Sequence, residues 1–348
     1  MLFTEKQMRV AKLYSFNDIF IEDMPIPEIG HHEALIKTKA CGICSGDVMP
    51  WYIEKKAPLV LGHEPVGEII ELGKGLNSFF KVGDRVFVHH HAPCMNCKYC
   101  HRGDYVQCET WRKTGIIPGG ISEYILIPEI NLKNDTLILP DDVSYEDGVL
   151  IEPTACVVKS LKRASIKKGD TILVIGLGLM GQMHILLARE FGAGKIIGAD
   201  MVKFRLNKAV EFGAVHVIDV SKEDLIDKVR HLTDGLMSDI VIVCPNSADA
   251  MKQGIKSVSR GGTVVFFTPA KLEEMINIDP NNLYFKDINI VTSYSCGPDD
   301  TKKALEFIQK GIIKAEKLIT HKFPIEDTEK AYRLTAEAKD SLKCIIYF

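Results

Sequence analysis

Four cysteines fall close together in one stretch of this sequence. They follow the pattern Cys94-x-x-Cys97-x-x-Cys100-x7-Cys108. Four thiolates on a short loop suit tetrahedral Zn²⁺, with Zn–S bonds of about 2.3 Å, and they leave no coordination position for a substrate. The spacing therefore predicts a structural zinc site, with a redox or disulfide loop as the alternative.

A second set of possible metal ligands is spread along the chain. It comprises Cys41 and Cys44 in CGICSGD, then His63 and Glu64 in GHE, then Glu152 in IEP. The sequence by itself does not show that these residues meet. Taken singly, the histidine also suits a packed core and the glutamates suit a surface.

A glycine-rich turn lies at the centre of the chain. Gly176, Gly178 and Gly181 have G-x-G-x-x-G spacing, after the β-branched run Thr171–Ile175 and before an apolar helical pattern. Such glycines permit a tight turn, close approach of a pyrophosphate and close helix–strand packing, and the helix N-terminus offers free N–H groups to phosphate. This context predicts a dinucleotide-binding fold.

The end of the next predicted strand bears on which dinucleotide binds. Asp200 lies 19 residues after Gly181, where a carboxylate can accept hydrogen bonds from the adenosine ribose. Its charge would repel the 2′-phosphate of NADP, so NAD is favoured. Arg205 is the reservation, because an arginine near this pocket can accommodate that phosphate; the alternative is a solvated helix residue.

Size and composition restrict the class of protein. The chain has 348 residues, enough for two domains, with 46% hydrophobic and 26% charged residues. A net charge of −3 argues against a nucleic-acid or anionic-membrane partner. We find no signal peptide and no apolar run of about 20 residues, so the sequence predicts a cytoplasmic protein.

The order of predicted elements changes along the chain. Residues 1 to about 150 show short strands and Pro/Gly turns, which indicate a β-rich, barrel-like unit. A helix is predicted over 145–163. Strands then alternate with helices, which indicates a parallel sheet covered on both faces. These strands are predicted at Thr171–Ile175, 195–199, 215–219, 239–243, 262–267 and 287–293. Helices near 299–310 and 325–338 and a strand over 342–348 are expected to return to the first unit.

Together these motifs resemble the zinc-containing medium-chain dehydrogenases of the alcohol, polyol and threonine group. The matching stretches include CGICSGD, LGHEPVGEI, VGDRVFV, the four-cysteine loop, LIEPTACVV, ILVIGLGLMG and LITHKFPIEDTEKAY. The resemblance implies an α/β protein. Residues 1–153 and 294–348 would form a GroES-like catalytic domain with both zinc sites, and 154–293 a Rossmann NAD-binding domain. It also implies a homo-oligomer, either a tetramer or a dimer.

The resemblance also assigns roles to residues. In the C-G-x-C motif, Cys44 rather than Cys41 would bind the catalytic zinc, together with His63. Glu64 would bind directly or exchange with water, and Glu152 matches the glutamate of the polyol dehydrogenases. Zinc would lower the pKa of a substrate hydroxyl, and hydride would pass to NAD. The implied substrate is a small secondary alcohol: a polyol, sugar alcohol or cyclitol.

The sequence departs from the family pattern at the proton relay. Gly46 stands where a serine or threonine is usual, and Met49 where a histidine is expected. Ser45, a water or Glu152 would then take the proton. His91 stands where threonine dehydrogenases place a histidine, so an L-threonine or β-hydroxy amino acid dehydrogenase is the close alternative.

Other residues and other functions receive weaker support. On a strand His89 and His91 would share a face, and Trp51 and Trp111 favour buried packing. A non-catalytic binding protein on the same fold is a remote alternative, supported only by Gly46 and Met49. A zinc-independent reductase is disfavoured by the cysteine loop and by the G-H-E motif.

Overall fold

The computed structural model describes residues 6–75 and 79–348, which form two compact units. The first contains the described residues up to Ala155 together with Cys296–Phe348, and the second is Cys156–Ser295. The division lies inside one helix, Ile151–Ala164. The C-terminal segment, Cys296–Phe348, belongs to the first unit.

The second unit is built on a six-stranded parallel sheet. Its strand order is β11-β10-β9-β12-β13-β14, so the order reverses between β9 and β12. This is the doubly wound Rossmann arrangement, which binds ligands beyond the carboxyl ends of the strands at the reversal. The strands are β9 Thr171–Ile175, β10 Lys195–Asp200, β11 His216–Asp219, β12 Ser238–Val243, β13 Val258–Phe266 and β14 Asn289–Thr292.

Helices connect these strands and cover the sheet. They are α7 Leu179–Ala188, α8 Lys203–Glu211, α9 Leu225–Leu232, α10 Ala248–Lys256 and α11 Pro280–Lys286, with a 3₁₀ turn at Arg189–Phe191. Aliphatic side chains of neighbouring strands form the core of this unit. Among them, Leu173, Ile197 and Val241 are not exposed to solvent. Each strand has an apolar, largely β-branched central stretch, which explains why the sequence indicated where the strands lie.

The first unit contains two largely antiparallel sheets. A three-stranded sheet has the order β2-β1-β4, and a seven-stranded sheet has the order β15-β16-β3-β5-β6-β8, with β7 also paired to β3. The strands are β1 Gln7–Ser15, β2 Asp18–Pro25, β3 Ala34–Gly42, β4 Leu59–Val60, β5 Glu64–Leu72, β6 Arg85–Val88, β7 Tyr124–Ile127, β8 Thr136–Ile138, β15 Ile319–Pro324 and β16 Lys343–Tyr347.

Short helices join these strands. They are α1 Pro50–Ile53, α2 Lys98–His101, α3 Glu109–Lys113, α4 Glu129–Asp135, α5 Tyr145–Val149, α6 Ile151–Ala164, α12 Pro298–Gln309, α13 Ala315–Leu318 and α14 Thr328–Glu337, with 3₁₀ turns at Glu54–Lys56, Tyr105–Gln107 and Ile325–Asp327. None of the helices in the described part of the chain has both the length and the apolar character needed to span a bilayer.

The helix predicted over 145–163 is divided in two. Ser144 caps the first piece by accepting a hydrogen bond from the Asp147 backbone N–H at 3.0 Å. That piece ends at Val149, and α6 begins at Ile151. Pro153 has no N–H to donate to the carbonyl of Val149, so a continuous helix would lack this bond. Proline in the first turn of α6 is well tolerated.

The glycine turn provides a test of how the second unit packs. A Cβ at Gly181 would collide with the backbone oxygen of Gly176, whereas one at Gly178 would meet nothing nearer than the Arg205 guanidinium carbon, at 3.9 Å. We expect Gly181→Ala to lower the free energy of unfolding by about 1–3 kcal/mol, the usual cost of overpacking. Gly178→Ala, the matched control, should change it by less than about 0.5 kcal/mol. Urea unfolding would measure both, and equal effects would contradict the packing argument.

Candidate functional site

The pairing of β3 with β5 places the dispersed ligands. Gly42 lies opposite Glu64 in this antiparallel pair. Cys44, two residues beyond Gly42, and His63, one residue before Glu64, therefore lie at the same end of the sheet. One ligand atom from each of Cys44, His63 and Glu64 lies within 4.8 Å of the others. A thiol, an imidazole and a carboxylate so placed are a donor set typical of zinc.

Asp47 orients the imidazole of His63. Its Oδ2 lies 3.0 Å from Nδ1 of His63, and the aspartate side chain is only 6% exposed. With Nδ1–H donated to the carboxylate, Nε2 is the nitrogen left to bind a metal, as in many metal-bound histidines. The turn also directs a backbone donor at the thiol, since Gly46 N–H lies 3.3 Å from Cys44 Sγ.

Glu64 is held by a buried lysine. Glu64 and Lys343 are each 1% exposed and form an ion pair, and Lys343 Nζ also donates to the Ile43 carbonyl at 3.0 Å. Lys343 begins β16, which pairs with β3. A Cβ at Gly42 would collide with the Glu64 carboxylate, so glycine makes room for the pair.

Charge and burial compete within this group. Burial lowers the pKa of His63, but Asp47 and Cys44 outweigh it and raise that pKa well above its ordinary value. Burial raises the pKa of Glu64, Lys343 opposes the rise, and the charge of Glu152 adds to it. The net direction is upward. A cation bound among these groups would favour the thiolate, the carboxylate and the neutral imidazole.

Glu152 does not lie in the same group as Cys44, His63 and Glu64. Its carboxylate lies within 4.8 Å of ligand atoms of His89 and Cys296, while Cys44, His63 and Glu64 form their own group. Glu152 is 5% exposed, in the first turn of α6. Its electrostatic effect on Glu64 links the two groups.

The four-cysteine loop brings its sulfurs together. One ligand atom from each cysteine lies within 4.8 Å of the others, and the Sγ of Cys100 lies 3.9 Å from that of Cys94 and 3.5 Å from that of Cys97. Tetrahedral zinc with bonds of about 2.3 Å separates its sulfurs by about 3.8 Å. All ten cysteines of the chain are free. The geometry fits a metal site and does not support the disulfide alternative.

The glycine turn connects β9 to α7. Gly176 has φ +84°, in the left-handed region that favours glycine. Gly178 is the N-cap of α7 and has open space where a side chain would be. The first N–H groups of α7 are directed toward this space, which is suited to a pyrophosphate.

Asp200 ends β10 beside this turn. One carboxylate oxygen accepts from Leu177 N–H at 2.7 Å, and the other from Met201 and Val202 N–H at 2.7 and 2.9 Å. A carboxylate has about four acceptor positions, so capacity for a ribose hydroxyl remains. Arg205 Nη1 lies 3.7 Å from Asp200 Oδ2.

The three consecutive histidines lie just beyond β6. His89 and His91 both lie against Trp111, with ring centroids 6.4 and 4.4 Å away, and His90 lies 4.8 Å from the ring of His63. The prediction that His89 and His91 share a strand face does not apply, because β6 ends at Val88.

The side chains of these residues differ in environment. His91 Nδ1 lies 2.5 Å from the Thr114 carbonyl, and burial lowers the pKa of His91 to about 4. Trp111 is 2% exposed and packs against the four-cysteine loop, in agreement with the predicted burial, whereas Trp51 is half-buried. Ser45 lies on the exposed turn after Cys44.

Comparison with known proteins extends these observations. Residues 30–136 match the alcohol dehydrogenase GroES-like domain, and residues 180–310 match the zinc-binding dehydrogenase domain. A sorbitol dehydrogenase of Bacillus subtilis is 31% identical over 98% of both chains. The chain belongs to the zinc-containing medium-chain dehydrogenase/reductase family.

Solved structures of this family share the fold over nearly the whole chain. A 2R,3R-butanediol dehydrogenase of B. subtilis has a TM-score of 0.86 and 27% identity, covering 98% of this chain and 99% of its own. A zinc-binding dehydrogenase of Sinorhizobium meliloti, bound to NADP, has a TM-score of 0.87 and 25% identity, covering 99% of this chain and 100% of its own. The GroES-like and Rossmann fold prediction is therefore confirmed.

Motif analysis missed Lys343, which lies beside the group of Cys44, His63 and Glu64. A signal was present, since it is the one charged residue in the otherwise apolar stretch LKCIIYF. A lysine in a buried strand needs an ionic partner. Its partner, however, lies far away in the sequence, so only the pairing of β16 with β3 reveals it.

The buried pair can be tested by removing its cation. Lys343→Met keeps an unbranched side chain of nearly the same length and leaves the Glu64 carboxylate buried without its cationic partner. We expect the free energy of unfolding of zinc-depleted protein to fall by about 3–5 kcal/mol, and Glu64→Gln added to that variant to recover a large part.

Urea unfolding measures this effect against a surface control. Lys322→Met removes an exposed ion pair with Glu146, of 3.0 Å, and should cost at most about 1 kcal/mol. Equal losses in the Lys322 and Lys343 variants would show that the buried pair has no special role.

Proposed function

We propose that this family member is an NAD-dependent zinc enzyme that oxidises a secondary hydroxyl of a polyol, sugar alcohol or cyclitol. The chain is a zinc-dependent alcohol or polyol oxidoreductase by its relatives, and the finer assignment is ours. The observation that carries it is the convergence of Cys44, His63 and Glu64 at one end of the β3–β5 pair.

The donor chemistry supports two zinc ions per chain. The four-cysteine group would hold a structural ion, because its thiolates fill a tetrahedral shell. Cys44, His63 and Glu64 supply only three donors, so a position remains for water, for the substrate oxygen or for a further carboxylate such as Glu152. One thiolate and one carboxylate would neutralise the charge of Zn²⁺.

The residues around the catalytic group have separate tasks. When bound there, zinc would polarise a substrate hydroxyl, and NAD would accept the hydride. Asp47 holds His63 in the tautomer that presents Nε2. Lys343 holds the Glu64 carboxylate and limits its movement. Ser45, a water and Glu152 remain our candidates to receive the hydroxyl proton, since Gly46 and Met49 cannot.

The glycine turn supports NAD as the cofactor. Gly176, Gly178 and Gly181 would let the pyrophosphate approach the N-terminus of α7, and Asp200 would accept from the ribose hydroxyls. Arg205 lies beside Asp200, and the negative charge of the Asp200 carboxylate offsets the positive charge of the Arg205 guanidinium. This favours NAD over the NADP bound by the S. meliloti relative.

We also propose a cytoplasmic homo-oligomer, a dimer or tetramer. Ten free cysteines suit a reducing compartment. The edge strand β14 lies in a part of the second unit that carries large exposed apolar side chains: Met275 is 83% exposed, Tyr284 76% and Phe285 78%. A second copy of the chain would cover such a surface.

The threonine alternative receives no support from the placement of His91. Its Nδ1 is engaged by the Thr114 carbonyl, and its ring packs on Trp111. A panel of sorbitol, xylitol, myo-inositol, 2,3-butanediol and L-threonine with NAD, read by the absorbance of reduced nicotinamide, tests the assignment. Highest kcat/KM on a polyol is expected, and a preference for threonine would overturn it.

The role of Asp47 gives a sharper test of the metal group. Asp47→Asn keeps the size of the side chain but weakens its hold on His63, and loss of such a partner typically costs 10–100-fold in activity or metal affinity. Asp84→Asn is the control, because Asp84 is also buried and its carboxylate accepts from the local Lys81 N–H, at 2.9 Å, rather than from a metal-binding side chain. Its kcat/KM should stay within about twofold; an equal loss would remove the case for Asp47.

Cofactor choice is tested at the end of β10. Asp200→Asn should reduce the preference for NAD over NADP by about tenfold, equivalent to about 1.4 kcal/mol. Arg205→Gln should lower activity with NADP more than activity with NAD. The exposed neighbour Lys203 supplies the control variant Lys203→Gln. Unchanged ratios of kcat/KM in the Asp200 variant would contradict its proposed role.

A further inference from the structure

A second thiol–imidazole–carboxylate group lies in the first unit. His89, Glu152 and Cys296 each offer a ligand atom within 4.8 Å of the others, and all three are buried, with exposures of 0%, 5% and 0%. They come from the loop after β6, the first turn of α6 and the segment before α12. His89 and Cys296 have no part in the proposed reaction.

His89 is oriented by a buried chain of hydrogen bonds. Its Nδ1 lies 2.6 Å from Asp135 Oδ2, and the Thr301 hydroxyl donates to Asp135 Oδ1 at 2.6 Å. Since the carboxylate is an acceptor, Nδ1 carries the hydrogen and Nε2 faces Cys296. An aspartate that orients a histidine in this way is the arrangement found around metal-bound imidazoles.

The separation of the donors suits a shared ion. Cys296 Sγ lies 3.7 Å from His89 Nε2. Tetrahedral zinc, with a Zn–S bond of about 2.3 Å and a Zn–N bond of about 2.05 Å, places these atoms about 3.6 Å apart. A divalent ion would neutralise the thiolate and the Glu152 carboxylate together in a region without solvent.

This group repeats the composition of the Cys44 group. Each has one cysteine, one glutamate and one histidine held by an aspartate, Asp47 in one and Asp135 in the other. We propose that His89, Cys296 and Glu152 form an additional position for a borderline divalent metal such as Zn²⁺ or Co²⁺. The proposal rests on the proposed function in assigning the catalytic zinc to Cys44, His63 and Glu64, and it requires the Glu152 carboxylate to bind the additional ion rather than the catalytic zinc.

Metal counting with Co²⁺ tests the proposal on the full chain. Metal-depleted protein is titrated with Co²⁺, and bound metal and thiolate-to-cobalt absorption are measured. We expect three ions per chain in the wild type, one for each group. Cys296→Ala and His89→Gln should each bind two. Cys344→Ala, a buried cysteine outside all three groups, should bind three.

Two results would overturn the proposal. If the wild type and both variants bind two ions with unchanged spectra, Cys296 and His89 form a metal-free pair. In the second result, the wild type binds two ions, and Cys44→Ala and Cys296→Ala each bind one. The Cys44 group and the Cys296 group would then share a single ion, which excludes a separate position. Circular dichroism identifies a variant that does not fold, and the other variant then decides.

The polyol assay on the same samples separates this proposal from the proposed function. Three bound ions in the wild type without activity on any alcohol would contradict the proposed function and support the extra metal position. Two bound ions with full polyol activity, and no loss of metal in the Cys296 and His89 variants, would contradict the extra position alone.

Discussion

The burial of charged ligands is the constraint on which the first unit depends. A carboxylate such as Glu64, 1% exposed, is stable only with a partner, and Lys343 supplies one from the last strand. That strand must therefore pair with β3, which in turn pairs with β5. The C-terminal segment is thus held in place both by the apolar packing of β16 and by the ion pair between Lys343 and Glu64.

The second unit depends on backbone geometry more than on charge. Its parallel sheet is apolar and packs helices on it, and the reversal of strand order places the glycine turn at the carboxyl end of β9. Close approach of Gly181 to Gly176 keeps α7 near the sheet. The space at Gly178 is open, so two glycines of the same motif have different surroundings.

Much of this architecture was predictable, for identifiable reasons. The strand Thr171–Ile175 was predicted at its observed bounds because a short β-branched run before glycine is a strong local signal. The helix over 145–163 was placed correctly at its start but not at its break, where Pro153 removes a hydrogen bond. The short strand β15 was missed, because its six residues mix polar and apolar side chains without clear alternation.

The sequence by itself determined the ligand types, the cysteine spacing, the glycine turn and the acid at the end of β10, since each depends on residues that are close together in the chain. Tertiary structure decided which ligands meet. It joined Lys343 to the metal group although its bond to Ile43 spans 300 residues, and it grouped Glu152 with His89 and Cys296. The physical reason is that strand pairing and burial act between residues that are distant in the chain. Such contacts produce no recognisable pattern in the neighbouring residues of the sequence.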